Sequence, residues 1–330
     1  RVLSASDIYS VTMADMDTDP TFEDVLVAAE RILGRVHRTP VMTSRAIDEI
    51  AGAQLHFKCE NLQKVGAFKA RGATNAVLSL DDETAGRGVA THSSGNHAAA
   101  LAFAAASRGI RAHVVMPSSA PPVKKAAVAG YGAEITECEP TLEAREATLA
   151  KVVERTGATF IHAYDNPNVI AGQGTAVLEL MTDAPDLAAV MAPVGGGGLM
   201  SGTCLSVAGS RPDLKIFGAE PAGADDAFRS LRDGTRYPSV EPRTLADGLL
   251  TSLSDRTFRI LSQYLEAILT VSEENIVRAM RLLWERMKIV VEPSGAVPLA
   301  AVLEHPDYFR DHRVGLIVSG GNVDLDHLPW

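Results

Sequence analysis

Cysteine is scarce in this chain: three occur in 330 residues, Cys59, Cys138 and Cys204, with no paired spacing and no metal pattern. That excludes a disulfide framework and a zinc ribbon, and it fits a protein of the reducing cytoplasm. No run of basic residues offsets a net charge of −10, which argues against nucleic acid or an anionic membrane as partner. The uncharged stretch Ala188 to Ser210 contains Gly and Pro and reads as strand, turn and helix, not as a membrane span. Internal repeats, low-complexity linkers and a signal peptide are not visible, and whether the residues before about Met13 are native is left open by the sequence. Two common nucleotide signatures are missing as well. No G-x-G-x-x-G is followed by an acidic residue at the next strand end, and no G-x-x-x-x-G-K-[ST] occurs.

What is present is an alternation of β and α patterns. Leu55 to Cys59, Gly88 to Ala90, Ala112 to Met116, Glu134 to Cys138, Phe160 to Ala163, Val190 to Val194, Ile216 to Glu220 and Val314 to Val318 read as strands. Helical patterns separate most of them, among them Ala98 to Arg108, Leu199 to Ala208 and Glu273 to Lys288. The expectation is an α/β chain with largely parallel sheets, long enough at 330 residues for two domains.

Four segments carry chemistry. Lys69 stands among Ala67, Phe68, Ala70, Gly72 and Ala73 where a helix begins; small and apolar neighbours suggest a poorly hydrated pocket, which lowers an amine's pKa and frees its lone pair for a carbonyl. A lone lysine at a helix start is otherwise a solvated surface charge. Gly195 to Gly198, between an apolar run and a helix, can turn backbone N–H groups inward to cradle a phosphate, or form a plain flexible turn. Thr91-His-Ser-Ser-Gly-Asn-His97 gathers hydroxyls and amides at a strand-to-helix turn, although such residues are also ordinary caps. Glu220-Pro-Ala-Gly-Ala-Asp-Asp226 sets carboxylates six residues apart around a turn, suiting a hard cation such as Mg²⁺ or Ca²⁺, or simply a helix start with solvated Asp225 and Asp226.

Together these segments resemble the pyridoxal-phosphate enzymes of the serine/threonine dehydratase and serine racemase family, with a tryptophan-synthase-β-like fold (fold type II). The likeness runs from about His37 to Asp324, on Gly66-Ala-Phe-Lys-Ala-Arg-Gly72, Ser93-Ser-Gly-Asn-His97, Gly195 to Gly198 and Ser319-Gly-Gly-Asn322. It implies a large cofactor-binding domain of residues 20–87 and 166–330, with a small domain of residues 88–165 inserted in it, and a homodimer. It implies pyridoxal 5'-phosphate held covalently by Lys69, flanked by Phe68 and Gly248, with Asn96 on its phenolic oxygen, Gly195, Gly196, Gly197 and Gly198 on its phosphate and Ser319 at its pyridine nitrogen. Lys69 and Ser94 would be the catalytic pair, acting from opposite faces. The substrate, a small amino acid, would be bound by Ser93, Ser94, Gly95, Asn96 and His97, with Arg145, Thr251 and Tyr164. Glu220, the carbonyl of Ala224 and Asp226 would hold a divalent cation, Mg²⁺ ahead of Ca²⁺ or Mn²⁺.

Departures from the racemase pattern narrow the activity. Ala98 and Ala99 replace the Gly-Gln that serves an ATP effector in animal racemases, Ala67 replaces a commoner serine, Thr251 stands where serine is usual, and Tyr164 stands for an asparagine. With Asp247-Gly-Leu-Leu250 and the ending Asn322 to Trp330, these look more like the 3-hydroxyaspartate dehydratases. The expected reaction is β-elimination of a β-hydroxy amino acid, 3-hydroxyaspartate first, giving oxaloacetate and ammonia. Serine racemisation, or serine or threonine dehydration, is the alternative, and a non-catalytic amino-acid sensor a remote one. Arg71 fits a structural ion pair as well as a carboxylate clamp.

Overall fold

The computed structural model describes residues Thr18–Trp330, so the stretch before Met13 lies outside the described residues. The chain divides into two compact units. One takes the described residues up to Val36 together with Lys69–Gly172, and so contains the whole of residues 88–165; the other takes His37–Phe68 and Gln173–Trp330.

The second unit is built on a six-stranded sheet of order β1-β2-β10-β7-β8-β9, where β1 is Val41–Met42, β2 Gln54–Cys59, β7 Ala189–Pro193, β8 Lys215–Pro221, β9 Ala267–Val271 and β10 Arg313–Val318. Only β1 runs antiparallel. A parallel sheet is covered on both faces, which is why β7 reads Ala-Val-Met-Ala-Pro without polar alternation and is buried at every position. The core joins Phe57, Met191, Phe217 and Leu316 from the strands to Val297, Leu299 and Val302 of helix Pro293–Glu304, which is buried continuously from Ser294 to Val302. Pro293 fits because the first turn of a helix has no N–H obligation to lose.

The first unit has a four-stranded, all-parallel sheet of order β5-β4-β3-β6, with β3 Val89–His92, β4 Ala112–Pro117, β5 Glu134–Cys138 and β6 Thr159–Phe160. The Ala-rich helix Asn96–Arg108 packs against helix Lys69–Ser79; small side chains on both permit the close approach.

Most expected strands are present within a residue or two, and the α/β, mostly parallel architecture stands. The expected strand Phe160–Ala163 is shorter: Ile161 N–H still bonds Ala90, but its carbonyl is taken by the His97 ring, which ends the ladder. β1 and β9 are additions. The expected helix Glu273 to Lys288 is α-helical to Leu282 and then widens into a π-turn, Leu283–Met287, ending at Lys288 with φ of 60°. Among the described residues no helix is long and apolar enough to cross a membrane.

In both units the parallel strands deliver the candidate residues at their carboxyl ends. β2 leads to the Lys69 motif, β7 to the glycine run, β8 to Glu220, β10 to Ser319, β3 to Ser93–His97 and β6 to His162–Asn166. This is where α/β sheets place ligands, since side chains there escape the ladder while the strands hold them rigidly.

Candidate active site

In the first unit Lys69 opens helix Lys69–Ser79 with Ala70 and Ala73 fully buried around it. Its Nζ donates to the carbonyl of Ala163 at 2.7 Å. Burial lowers its amine from 10.5 to about 8, so a sizeable neutral fraction exists at physiological pH. Ser93–His97 forms the turn into helix Asn96–Arg108, with Gly95 N–H donating to Ser93 Oγ. His97 is buried and gives its Nε2–H to the Ile161 carbonyl, leaving Nδ1 as a buried lone pair without a donor. Burial, then the nearby Lys69 charge, pushes its pKa down to about 3, so the ring is neutral.

A chain of rings runs beside it: His92 stacks on Phe160, Phe160 meets His162 edge to face, and His162 meets Tyr164 at 4.5 Å between centroids. His162 Nδ1 accepts the N–H groups of Tyr164 and Asp165, at 3.3 and 2.9 Å. Arg145, on helix Leu142–Thr156, bonds back to the Thr141 carbonyl through Nε, and its charge helps depress His92, after burial, to about 4. Arg71 is fully buried within its helix, which fits the structural role.

In the second unit the glycine run is wholly buried. Val194 N–H bonds Ala219 and Ser201 N–H bonds Gly197, while none of the hydrogen bonds among the described residues uses the N–H groups of Gly195, Gly196 or Gly197. Buried donors without acceptors are costly, and three in a row before the helix Gly198–Ser210 form a cradle suited to an anion. Gly197 has φ of 85°, and a Cβ there would lie 2.8 Å from Thr257 Cβ, so only glycine fits. The loop meets the Asp247–Leu249 turn, where Gly248 N–H bonds Ser294 Oγ at 3.1 Å. Thr251 follows, exposed.

Ser319 is buried at the end of β10. Its carbonyl accepts the Phe68 N–H at 3.0 Å, Ala67 bridges Gly320, and Gly321 N–H bonds the Gly66 carbonyl, so Gly66–Phe68 is zipped against residues 319–321. Phe68 and Ser319 are therefore held in one register.

Glu220 and Asp226 are both buried. Glu220 accepts the N–H groups of Ala227 and Phe228, yet burial, joined by the negative charge of Asp226, pushes it up to about 9. Burial raises Asp226 to about 6, opposed by its own backbone N–H and the Ser239 hydroxyl. Two buried acids whose pKa values are raised despite their donors suit a cation with oxygen ligands. No group of three or more His, Cys, Asp or Glu poised for a metal occurs among the described residues. The thiols of Cys59 and Cys204 are buried and raised, hence inert.

In the sequence this turn is marked only through Tyr164 and the strand Phe160 to Ala163, and neither the Ala163 carbonyl nor His162 is singled out. A backbone acceptor has no residue signature.

Each unit by itself offers part of such chemistry: the first an amine of lowered pKa, suited to an aldehyde, and the second an unpartnered N–H cradle suited to a phosphate and a buried serine suited to a heteroaromatic nitrogen. The chain is 54% identical over 311 residues to the "beta-hydroxyaspartate dehydratase" of Paracoccus denitrificans, covering 94% of this chain and 99% of that one. It is 49% identical over 314 residues to the serine racemase of Dictyostelium discoideum (93% and 96% covered), whose crystal structure superposes with a TM-score of 0.89. It is 45% identical over 307 residues to the "L-threo-3-hydroxyaspartate ammonia-lyase" of Saccharomyces cerevisiae (93% and 94% covered). Residues 32–320 match the family described as "Pyridoxal-phosphate dependent enzyme", and the chain belongs to that family.

Proposed function

We propose that this enzyme dehydrates and deaminates 3-hydroxyaspartate to oxaloacetate and ammonia. The observation that carries the chemistry is the Lys69 amine, brought to about 8 by burial and aimed at the Ala163 carbonyl. The substrate reading is supported by the 54% identity to a protein of that activity and by the departures at Ala67, Ala98, Ala99 and Tyr164.

Lys69 would hold pyridoxal 5'-phosphate, with Gly195–Gly198 on the phosphate, Ser319 at the pyridine nitrogen, Asn96 on the phenolic oxygen and Phe68 and Gly248 against the ring. When bound, this cofactor draws off the electrons of a broken Cα bond, and a neutral serine at its nitrogen makes that sink shallow, favouring prompt loss of a β-leaving group. Lys69 Nζ takes the Cα proton. The β-hydroxyl would then depart as water, taking the equivalent of the proton removed from Cα, and the released enamine tautomerises and reacts with water to give ammonia and the 2-oxo acid. Arg145 and the donors of Ser93–His97, with Thr251 and Tyr164, would share the two substrate carboxylates, because an unpaired buried charge is costly. Ser94 Oγ returning a proton to the other face would racemise the same substrate; the 49% identity to a serine racemase favours this as the second reading.

Glu220, Asp226 and the Ala224 carbonyl would bind Mg²⁺ as a structural ion. The same reading has the protein act as a homodimer in the cytoplasm.

Ammonia and 2-oxo acid release by purified protein, supplied with cofactor and Mg²⁺, tests this on erythro and threo 3-hydroxyaspartate, serine and threonine. A hydroxyaspartate is expected to give kcat/KM at least tenfold above serine, with Lys69→Ala inactive. Preference for serine, or Cα inversion without ammonia, rejects the substrate assignment.

A further inference from the structure

We infer that His162 is a positioning residue for Lys69, acting through the backbone carbonyl of Ala163. The inference rests on Lys69 being the reactive amine.

The turn after β6 has an unusual lock. An imidazole nitrogen that accepts N–H groups must carry its lone pair, so the two bonds from Tyr164 and Asp165 fix Nδ1 of His162 as the unprotonated nitrogen. Those bonds run from residues two and three positions ahead, closing a tight loop around Ala163 in the manner of an Asx-turn. On one side of the loop the chain is held by Ile161, whose N–H bonds Ala90 and whose carbonyl takes the His97 Nε2–H. On the other, Asn166 accepts the Val169 N–H through Oδ1 and the Ile170 N–H through its carbonyl, capping helix Pro167–Asp183. Between these two anchors the Ala163 carbonyl receives Lys69 Nζ at 2.7 Å.

The consequence is a division of labour on the lysine. Desolvation lowers its pKa, while an oriented carbonyl favours the ammonium form and gives the amine a resting direction. The carbonyl therefore limits how far burial drives the amine down and holds Nζ at one point when the amine is not covalently engaged. Side-chain identity at Ala163 is irrelevant to this; the acceptor nitrogen at His162 is not.

The test separates that nitrogen from the bulk of the ring. Asn places its Oδ1 where His has Nδ1 and can accept the same two N–H groups, whereas Gln and Leu cannot. Lys69 in the cofactor-free protein is dimethylated reductively over a pH series, and the extent at Lys69 is read by mass spectrometry. His162→Asn is expected to keep the wild-type midpoint. His162→Gln and His162→Leu are expected to shift it downward by half a unit or more, with cofactor affinity falling at least fivefold. Equal midpoints in all four proteins, or a shift in His162→Asn equal to that in His162→Leu, overturns the inference. Hydrogen exchange of wild-type protein needs no variant to fold: Tyr164 and Asp165 amides should be protected, and exchange at the rate of an open loop also overturns it. If instead Lys69→Ala retains full activity, the reading of Lys69 itself fails, whatever the His162 series shows.

Discussion

A valine in the left-handed region pays about 1–2 kcal/mol in clash between its Cβ and the next carbonyl. Val65 is such a residue, with φ of 55°, and its carbonyl accepts the Asn322 Nδ2 group at 2.7 Å. Gly66 follows with φ of 71°, and any Cβ there would stand 2.6 Å from Asn322 Oδ1. Strain is thus held in the loop that leads into Phe68 and Lys69 by a clasp from the segment that carries Ser319. Val65→Asn keeps the backbone conformation with a residue that tolerates it and is expected to raise stability by about 1 kcal/mol in urea unfolding. A decrease would show that Val65 packs better than its backbone suffers. The lysine and its small neighbours were legible in the sequence because residue type alone signals a dry amine. The clasp was not, since its two halves lie 257 residues apart. His162 was silent for a related reason: a ring accepting backbone N–H groups looks like any surface histidine until the turn is seen.

At the level of elements, β7 and β10 were readable because a strand covered on both faces is apolar along its buried length, which in β10 begins at Val314. β1, two residues long, lacks any period to read, and its pairing with β2 depends on tertiary contact. The turn from β8 into helix Asp226–Asp233 shows where composition is ambiguous: Asp226 reads equally as a solvated helix start or as a ligand, and both it and Glu220 are 1% exposed. Burial of both is intelligible if a cation offsets them. Saturating Mg²⁺ is therefore expected to raise the melting temperature of chelator-treated protein by several degrees, since a ligand at a hundredfold over its Kd contributes about 2.7 kcal/mol. Asp226→Asn should abolish the increment. An increment that survives in Asp226→Asn would place the ion elsewhere.

For the molecule as a whole, the two units differ in what acid does to them. His92 and His97 belong to the four-stranded unit, and burial holds them neutral, down to about 4 and about 3 from 6.5. His113 of the same unit is also lowered, chiefly by burial, while the six-stranded unit contributes only His56 to the set among the described residues. When the chain unfolds each ring recovers an ordinary affinity for protons. Below about pH 6.5 the unfolded state therefore binds protons that these folded rings refuse, and the four-stranded unit loses stability as pH drops toward 4, whereas the raised Glu220 and Asp226 of the other unit act in the opposite sense. Each unit of separation between the two pKa values is worth about 1.4 kcal/mol, so His92 and His97 together outweigh a typical point mutation. The loss should appear first where the rings are. Hydrogen exchange at pH 7, 5.5 and 4.5 is expected to show amides of β3 and β4 losing protection at a higher pH than those of β7 and β10. Simultaneous loss in both sheets, or loss beginning in β7 and β10, would mean that the buried imidazoles do not set the acid limit. The same rings that border the Lys69 site would then have to be neutral for reasons of catalysis alone.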